Sequence, residues 1–215
     1  LSLFKSLKMK AKIVVGLGFG DEGKGITTDY LVSRNPSSIV VRYCGGHQAG
    51  HTVVKDGIRH VFASYGSGSL AKAPTYISEH CCLYPVYLVR EEGILRHKVG
   101  HIPHITIHPL AKVTTPFDIA LNRVREKVTN HGSVGVGIGT TMQRNLGPHK
   151  LHAIDLKHPA LLKEKLKSIE RYYAQDVYYT FNSKAAREFK EIVDFEFRFW
   201  DDSIAAMDFQ VASYN

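Results

Sequence analysis

Apolar positions in the first part of this chain fall into short β-branched runs broken by glycine loops, and later into helix-spaced patterns. Residues 13–15 (Ile-Val-Val) are one such run, which reads as a strand and breaks into five glycines over positions 16–25. Residues 26–34 carry apolar side chains at 26, 30 and 31, near helical spacing, and stop before Asn35-Pro36. Residues 38–43 (Ser-Ile-Val-Val-Arg-Tyr) read as a second buried strand. Strand, loop, helix and strand in that order make a βαβ unit, which predicts a parallel sheet with helices on its faces.

Val53-Val54 and residues 58–62 predict a hairpin turning at Asp56-Gly57. Residues 66–69 are a small-residue turn, and residues 74–78 fit a short strand. Residues 85–97 look helical, with proline in the first turn, and Ile105, Ile107 and Leu110 suggest another strand. Thr114-Thr115-Pro116 fits a helix start, a hydroxyl cap before a proline at the first helical position. That helix should run to about Val128, burying Ile119, Leu121, Val124 and Val128. A third glycine-rich stretch occupies residues 132–141. Residues 159–173 and 183–193 predict two charged helices at the periphery. Phe195, Phe197, Phe199, Trp200 and Phe209 follow without a clear stop, a large aromatic surface for a terminus. The fold expected is α/β, a mainly parallel central sheet flanked by helices with a small helical appendage. A nucleotide-binding core spans residues 9–156, and a helical segment over 157–215 belongs to the same domain.

The chain of 215 residues can bury a substantial core, and none of its apolar runs approaches bilayer thickness, so no membrane partner is expected. A formal charge of +8 admits anionic partners. The basic residues are scattered rather than gathered into a stripe, which favours small phosphorylated ligands over nucleic acid. Cys44, Cys81 and Cys82 form neither a C-x-x-C motif nor a disulfide framework, and no signal peptide is visible. A cytoplasmic location is therefore expected. Met9 opens Met-Lys-Ala-Lys-Ile-Val-Val, which reads as a natural start, so residues 1–8 are set aside as an upstream leader.

The first glycine loop has the layout of an anion site, in which backbone N–H groups and a helix N-terminus face a phosphate. Gly18, Gly20 and Gly23 satisfy G-x-G-x-x-G, and residues 18–24 satisfy G-x-x-x-x-G-K. Gly25 stands where a P-loop carries the serine or threonine that binds magnesium, a role the Asp21 carboxylate can take instead. A dinucleotide site wants an acidic residue near the end of the second strand, which carries Arg42, so a nucleoside triphosphate is the better reading. In the second loop, His47 and His51 are four apart, a zinc spacing on a helix. Gly45, Gly46 and Gly50 oppose a helix there and no third ligand is nearby, so zinc is set aside. Acid–base chemistry and a structural role stay open for both histidines. Gly139-Thr140-Thr141 is either a simple turn or a set of donors to a second phosphate, and Cys81-Cys82 is a core pair.

Residues 20–25 (Gly-Asp-Glu-Gly-Lys-Gly) and 41–53 (Val-Arg-Tyr-Cys-Gly-Gly-His-Gln-Ala-Gly-His-Thr-Val) together resemble the adenylosuccinate synthetase family. Residues 120–127 and 138–141 agree with that family in order and spacing, and the resemblance runs from residue 9 to 156 and more loosely over 162–173. It implies a P-loop-like GTP-binding fold and a magnesium-dependent ligation of L-aspartate to inosine monophosphate (IMP). By the same resemblance the reaction would be driven by GTP through a 6-phosphoryl intermediate, in a cytoplasmic homodimer. The resemblance assigns Asp21 as base and His51 as acid. GTP would be held by Gly20, Asp21, Glu22, Gly23, Lys24, Gly25, Ile26, Gly50, His51 and Thr52. IMP would be held by Asp21, Glu22, Gly23, Lys24, Gln48, Ala49, Gly50, His51 and Thr141, and magnesium by Asp21 and the Gly50 carbonyl.

Three departures stand out. Gln48 replaces the family's asparagine. After Gly147-Pro148 the family has a longer basic segment whose arginine reaches a neighbouring subunit's monophosphate; this chain has His149, Lys150 and His152, with Arg144 as a substitute. The family is also longer, and its guanine- and aspartate-binding regions have no counterpart in residues 157–215. The other readings are a paralogue acting on a different purine monophosphate and a non-catalytic nucleotide-binding remnant.

Overall fold

Three passes of the chain each lay down two short strands, and together they form the frame on which the glycine loops sit. The computed structural model describes residues 10–101, 104–130, 132–207 and 209–212; the expected leader and Met9 lie outside these. The elements in chain order are α1 (Lys24–Ser33), β1 (Val40–Arg42), β2 (Gly45–Gly46), β3 (His51–Lys55), β4 (Ile58–Phe62), β5 (Thr75–Ile77), β6 (Cys81–Leu83) and α2 (Pro85–Val99). They continue with β7 (Ile105–Ile107), β8 (Lys112–Val113), α3 (Pro116–Thr129), α4 (Ile138–Arg144), α5 (Pro159–Thr180), α6 (Ser183–Ala206) and β9 (Gln210–Val211).

The first sheet has the order β1-β5-β7-β9 and the second β2-β6-β8, with every pairing in both parallel. Because each pass contributes to both sheets in the same lateral order, the two are tiers of one frame, bent between β1 and β2, β5 and β6, and β7 and β8. The architecture is thus the expected α/β one. β3 and β4 pair antiparallel as the expected hairpin. Asp56 and Gly57 both take positive φ (50° and 78°), the two-residue turn geometry whose twist matches the strands.

Two strand expectations need correction. Residues 13–15 are not a strand: no described strand pairs with them, and Ile13 and Val15 are 86 % and 65 % exposed. A β-branched run supplies propensity, but a strand needs a neighbouring ladder, and without one its backbone groups bond to water. β1 is accordingly an edge strand rather than a buried one; Val40 packs inward while Val41 is 57 % exposed.

The helices follow local rules more closely. Thr115 caps α3 in a capping box with Asp118, and Pro116 fills the first turn, as the sequence predicts. α6 extends well past the expected end at 193. Phe189, Val193, Glu196, Trp200 and Ser203 form its buried stripe at alternating spacings of four and three, and the helix packs chiefly along α3 and also on α2 and α5. Most of the supposed terminal aromatic surface is therefore a helix face. Trp200 is fully buried, Phe197 is packed against the core, and Phe195 and Phe199 lie on the outer flank.

Candidate nucleotide site

The first loop ends at Gly23, whose left-handed backbone (φ 76°) caps α1 and lets the helix start at Lys24, two residues earlier than its apolar pattern implies. Within the loop the donors converge on one carboxylate. Glu22 accepts from the Gly18 amide at 2.9 Å and the Gly20 amide at 3.3 Å, and it pairs with the Lys24 ammonium. Lys24 first, then these amides, hold the Glu22 carboxyl down at about 2. Two backbone N–H groups and an ammonium around one anion are the donor set a phosphate oxygen requires. Asp21, on an exposed left-handed turn (φ 55°), makes no hydrogen bond or ion pair among the described residues, so its carboxylate is available.

Close packing at Gly25 joins the first loop to the second. A Cβ built there would lie 2.9 Å from Cβ of His51. This accounts for glycine where a P-loop carries a hydroxyl residue: α1 is pressed against the start of β3, which sets His51 beside the Lys24 turn. His51 is half-buried, and burial first, then the Arg42 and Lys24 charges, lowers its pKa. Its imidazole is therefore neutral near neutral pH, with one ring N–H to donate. Gln48, Gly50 and Thr52 are exposed and Ala49 half-buried.

Arg42, which the sequence reading used only to argue against a dinucleotide, anchors this second loop. Its guanidinium donates to the Gly46 carbonyl at 3.1 Å, to the Tyr65 carbonyl at 3.5 Å and to the Ala63 carbonyl. Burial draws its pKa below the usual arginine value. A guanidinium satisfied by backbone carbonyls has no pattern that could be read from spacing.

Gly46 joins the second loop to the third. A Cβ there would lie 2.6 Å from Cδ1 of Ile138 and 2.8 Å from the Cys82 carbonyl. The adjacent His47 is buried, and its Nε2 donates to the Val136 carbonyl at 2.9 Å. Since a carbonyl only accepts, Nε2 carries the proton. Burial, chiefly, pushes the His47 pKa down to about 4. The structural reading holds for His47, while His51 faces the first loop. No group of three metal-capable side chains occurs among the described residues.

Gly139-Thr140-Thr141 is helical rather than a simple turn. Gly137 caps α4 with φ 82°, and Thr140 and Thr141 lie in its first turn. Thr141 is fully buried; its hydroxyl lies 2.7 Å from the accepting Gly137 carbonyl and 2.9 Å from the Thr114 hydroxyl. In this arrangement it braces the loop, and Gly139 is the exposed position of that turn. The Arg144 expectation is overturned. Arg144 forms a bidentate pair with Asp118 (Nε and Nη2, both at 2.9 Å), with both side chains at 0 % exposure, so it cannot reach a neighbouring subunit. Burial works against the Arg144 charge, and Asp118 outweighs it to raise the guanidinium pKa.

The three glycine stretches thus meet through contacts at Gly25 and Gly46, with Asp21, Gln48 and Gly50 on the exposed side. A family model described as adenylosuccinate synthetase matches residues 13–211. Adenylosuccinate synthetase 1 of Photorhabdus laumondii is 34% identical over 184 residues, covering 84% of this chain and 43% of that protein. Adenylosuccinate synthetase 1 of Pseudoalteromonas translucida is 34% identical over 205 residues, covering 93% of this chain and 44% of that protein. Among solved structures, the fully ligated adenylosuccinate synthetase from Plasmodium falciparum superposes with a TM-score of 0.64 at 18% identity, over 85% of this chain and 43% of that one. At that identity the likeness concerns the fold. The chain spans less than half the length of these relatives.

Proposed function

The chain belongs to the adenylosuccinate synthetase family, and on that premise we propose that it carries the phosphoryl-transfer part of a GTP-dependent ligase joining L-aspartate to inosine monophosphate. Recognition of guanine and aspartate falls to regions of such a protein that this chain does not span. The observation that supports the assignment best is the approach of Gly25 to His51, which joins the donor-rich loop to an ionisable ring that is neutral near neutral pH.

A purine oxo group is a poor leaving group, so it must first become a phosphate ester. Asp21 takes the N1 proton of the inosine ring, and the electron pair released along N1–C6 makes O6 the nucleophile. O6 attacks the γ-phosphorus of GTP, the bond to the β,γ-bridging oxygen breaks, and GDP leaves. His51 donates its ring N–H where negative charge develops; a neutral imidazole can do this without losing its proton. The amino group of aspartate then attacks C6, phosphate departs with the former O6, and the proton shed by the amine passes to the departing phosphate or to water. Lys24 and the Gly18 and Gly20 amides hold phosphate oxygens, displacing the Glu22 carboxylate they now hold. Positioning and charge neutralisation carry most of the acceleration.

The Asp21 carboxylate and the Gly50 carbonyl are the hard oxygen donors that magnesium takes, and both residues are exposed, leaving room for phosphates and water. A bound magnesium ion would neutralise phosphate charge. The proposal includes a cytoplasmic homodimer, for which family membership is the support. No helix among the described residues is long and apolar enough to cross a membrane.

The test is phosphate release by the full polypeptide carrying this chain. Release should require GTP, inosine monophosphate and aspartate together. Equal release with another purine monophosphate, or none at all, would overturn the assignment. Asp21→Asn and His51→Ala should each cut turnover by about 100-fold or more with little change in melting temperature. Wild-type turnover in either would remove its proposed role.

A further inference from the structure

Glu196 is a charged residue in the middle of the buried stripe of α6, at 7 % exposure. A carboxylate there carries a desolvation cost that an apolar side chain would avoid, so its partners indicate what it does. Both of its oxygens are used. Oε1 pairs with Arg123 Nη2 at 3.0 Å, and Oε2 accepts from the buried Tyr84 hydroxyl at 2.8 Å.

Each partner leads to a different glycine loop. Arg123 uses its Nε to donate to the Gly135 carbonyl at 3.1 Å, holding the third loop one residue before Val136. Tyr84 lies against the His47 ring (centroids 5.5 Å apart), and Tyr87 closes on the same ring edge-on at 5.3 Å. His47 in turn donates to the Val136 carbonyl. The contacts form a closed circuit: Glu196, Arg123, Gly135, Val136, His47, Tyr84 and back to Glu196. Asn122 adds a third tether by accepting from the Gly137 amide at 3.0 Å. Three consecutive residues of the third loop are therefore held from α3 and from the second loop. Glu196 fixes both supports relative to each other.

We propose that Glu196, acting through Arg123 and Tyr84, is a positioning residue that couples the second glycine loop to the third. It sets the spacing between Gln48 and the Gly137–Thr141 turn from α6, by way of Arg123 and Tyr84. The meaning of that spacing for inosine monophosphate rests on the function proposed above; the coupling itself does not. Glu196→Gln keeps the shape and an acceptor for Tyr84 but removes the charge that holds Arg123.

Backbone amide hydrogen exchange of this chain, read on peptides covering residues 44–52 and 133–141, tests the coupling. Glu196→Gln should speed exchange in both peptides by about tenfold, as expected for losing a hydrogen bond to a charged group. His47→Phe keeps an aromatic ring against Tyr84 and Tyr87 without its donor and should act on the same peptides. Combined with Glu196→Gln it should give clearly less than the product of the two effects, whereas independent sites multiply. His47→Gln, which restores an N–H, should partly rescue. Glu188→Gln, on the exposed pair with Lys127, should move neither peptide. Unchanged exchange over 44–52 in Glu196→Gln, or effects that simply multiply, would overturn the coupling.

Calorimetric titration of the full polypeptide carrying this chain reads the nucleotide side. Inosine monophosphate affinity should fall about tenfold in Glu196→Gln, a larger loss than for GTP, whose phosphates are held mainly by the first loop. Equal affinity for the monophosphate in variant and wild type would end the positioning role. A full polypeptide carrying the wild-type chain that binds neither nucleotide would count against the proposed function, and the exchange cycle would still decide the coupling.

Discussion

Asp118→Asn tests the most heavily bonded ion pair among the described residues. The Asp118 carboxylate accepts from Arg144 Nε and Nη2, from the Tyr173 hydroxyl at 2.7 Å, and from the Thr115 amide and hydroxyl at 2.7 and 2.8 Å. Arg144 goes on to donate to the Val113 carbonyl at 2.7 Å and the His149 carbonyl at 2.8 Å. The pair thus ties the start of α3, the end of α4, β8 and α5 together. Asparagine keeps the shape, but it turns one acceptor into an –NH2 facing donors and leaves the guanidinium uncompensated at 0 % exposure. Breaking a buried pair from one side costs about 3–5 kcal/mol. At roughly 2–4 °C per kcal/mol for a domain of this size, the melting temperature should fall by on the order of 10 °C. Arg144→Lys should not match wild type, because an ammonium cannot make the two parallel bonds. The exposed Lys190–Asp194 pair is the control, worth about 0.3–0.5 kcal/mol. Urea unfolding of the three variants beside wild type measures the differences. An Asp118→Asn loss no larger than that of Lys190→Ala would refute the reasoning, since water would have to reach the guanidinium.

Gly25→Ser restores the P-loop hydroxyl in sequence, yet its Cβ would meet His51 Cβ at 2.9 Å, so it should destabilise by about 1–3 kcal/mol and weaken GTP binding. Thermal unfolding with GTP titration would check this, and tighter GTP binding by a stable variant would contradict the packing argument. His47 links stability to pH. Its folded pKa is about 4 against an ordinary 6.5, so the unfolded chain binds the proton first. Its share of stability is complete above pH 6.5 and is lost as pH falls towards 4, about 3 kcal/mol in all. His51 and His152, whose pKa values are also lowered, act in the same direction. Denaturant unfolding across that pH range should show a flatter profile in His47→Gln than in wild type; identical slopes would refute the assignment.

What could be read in advance was whatever depends on residues close in sequence. The Thr115 cap, the Asp56-Gly57 turn and the glycine loop before α1 each follow from a few adjacent side chains, and all three are in the structure. Residues 13–15 had the right side chains for a strand, but a strand also needs a ladder partner, which no local pattern supplies. The sequence pattern ends this helix at 193 because 195–200 reads as an aromatic cluster until every third or fourth position is followed through to Ser203. Arg144 is a similar case. A basic residue just past a candidate phosphate turn suggests a ligand contact, and only the fold shows Asp118, 26 positions away, lying against it.

The histidine pair shows how far motif reading reaches. Both lie in one glycine loop four residues apart, and sequence alone left acid–base and structural roles open for each. The structure separates them by what faces each ring. His47 is enclosed by Tyr84 and Tyr87 and donates to Val136. His51 is pressed against Gly25 next to the Lys24 turn, with only part of its ring covered. One histidine therefore holds the second loop to the third while the other stands at the joint with the first. The same two glycines that let the loops approach, Gly25 and Gly46, decide which histidine remains open for chemistry. A side chain at Gly46 would press on Ile138 and separate the loops that His47 joins. One at Gly25 would displace His51 itself, so substitutions at these two glycines should separate loop coupling from catalysis.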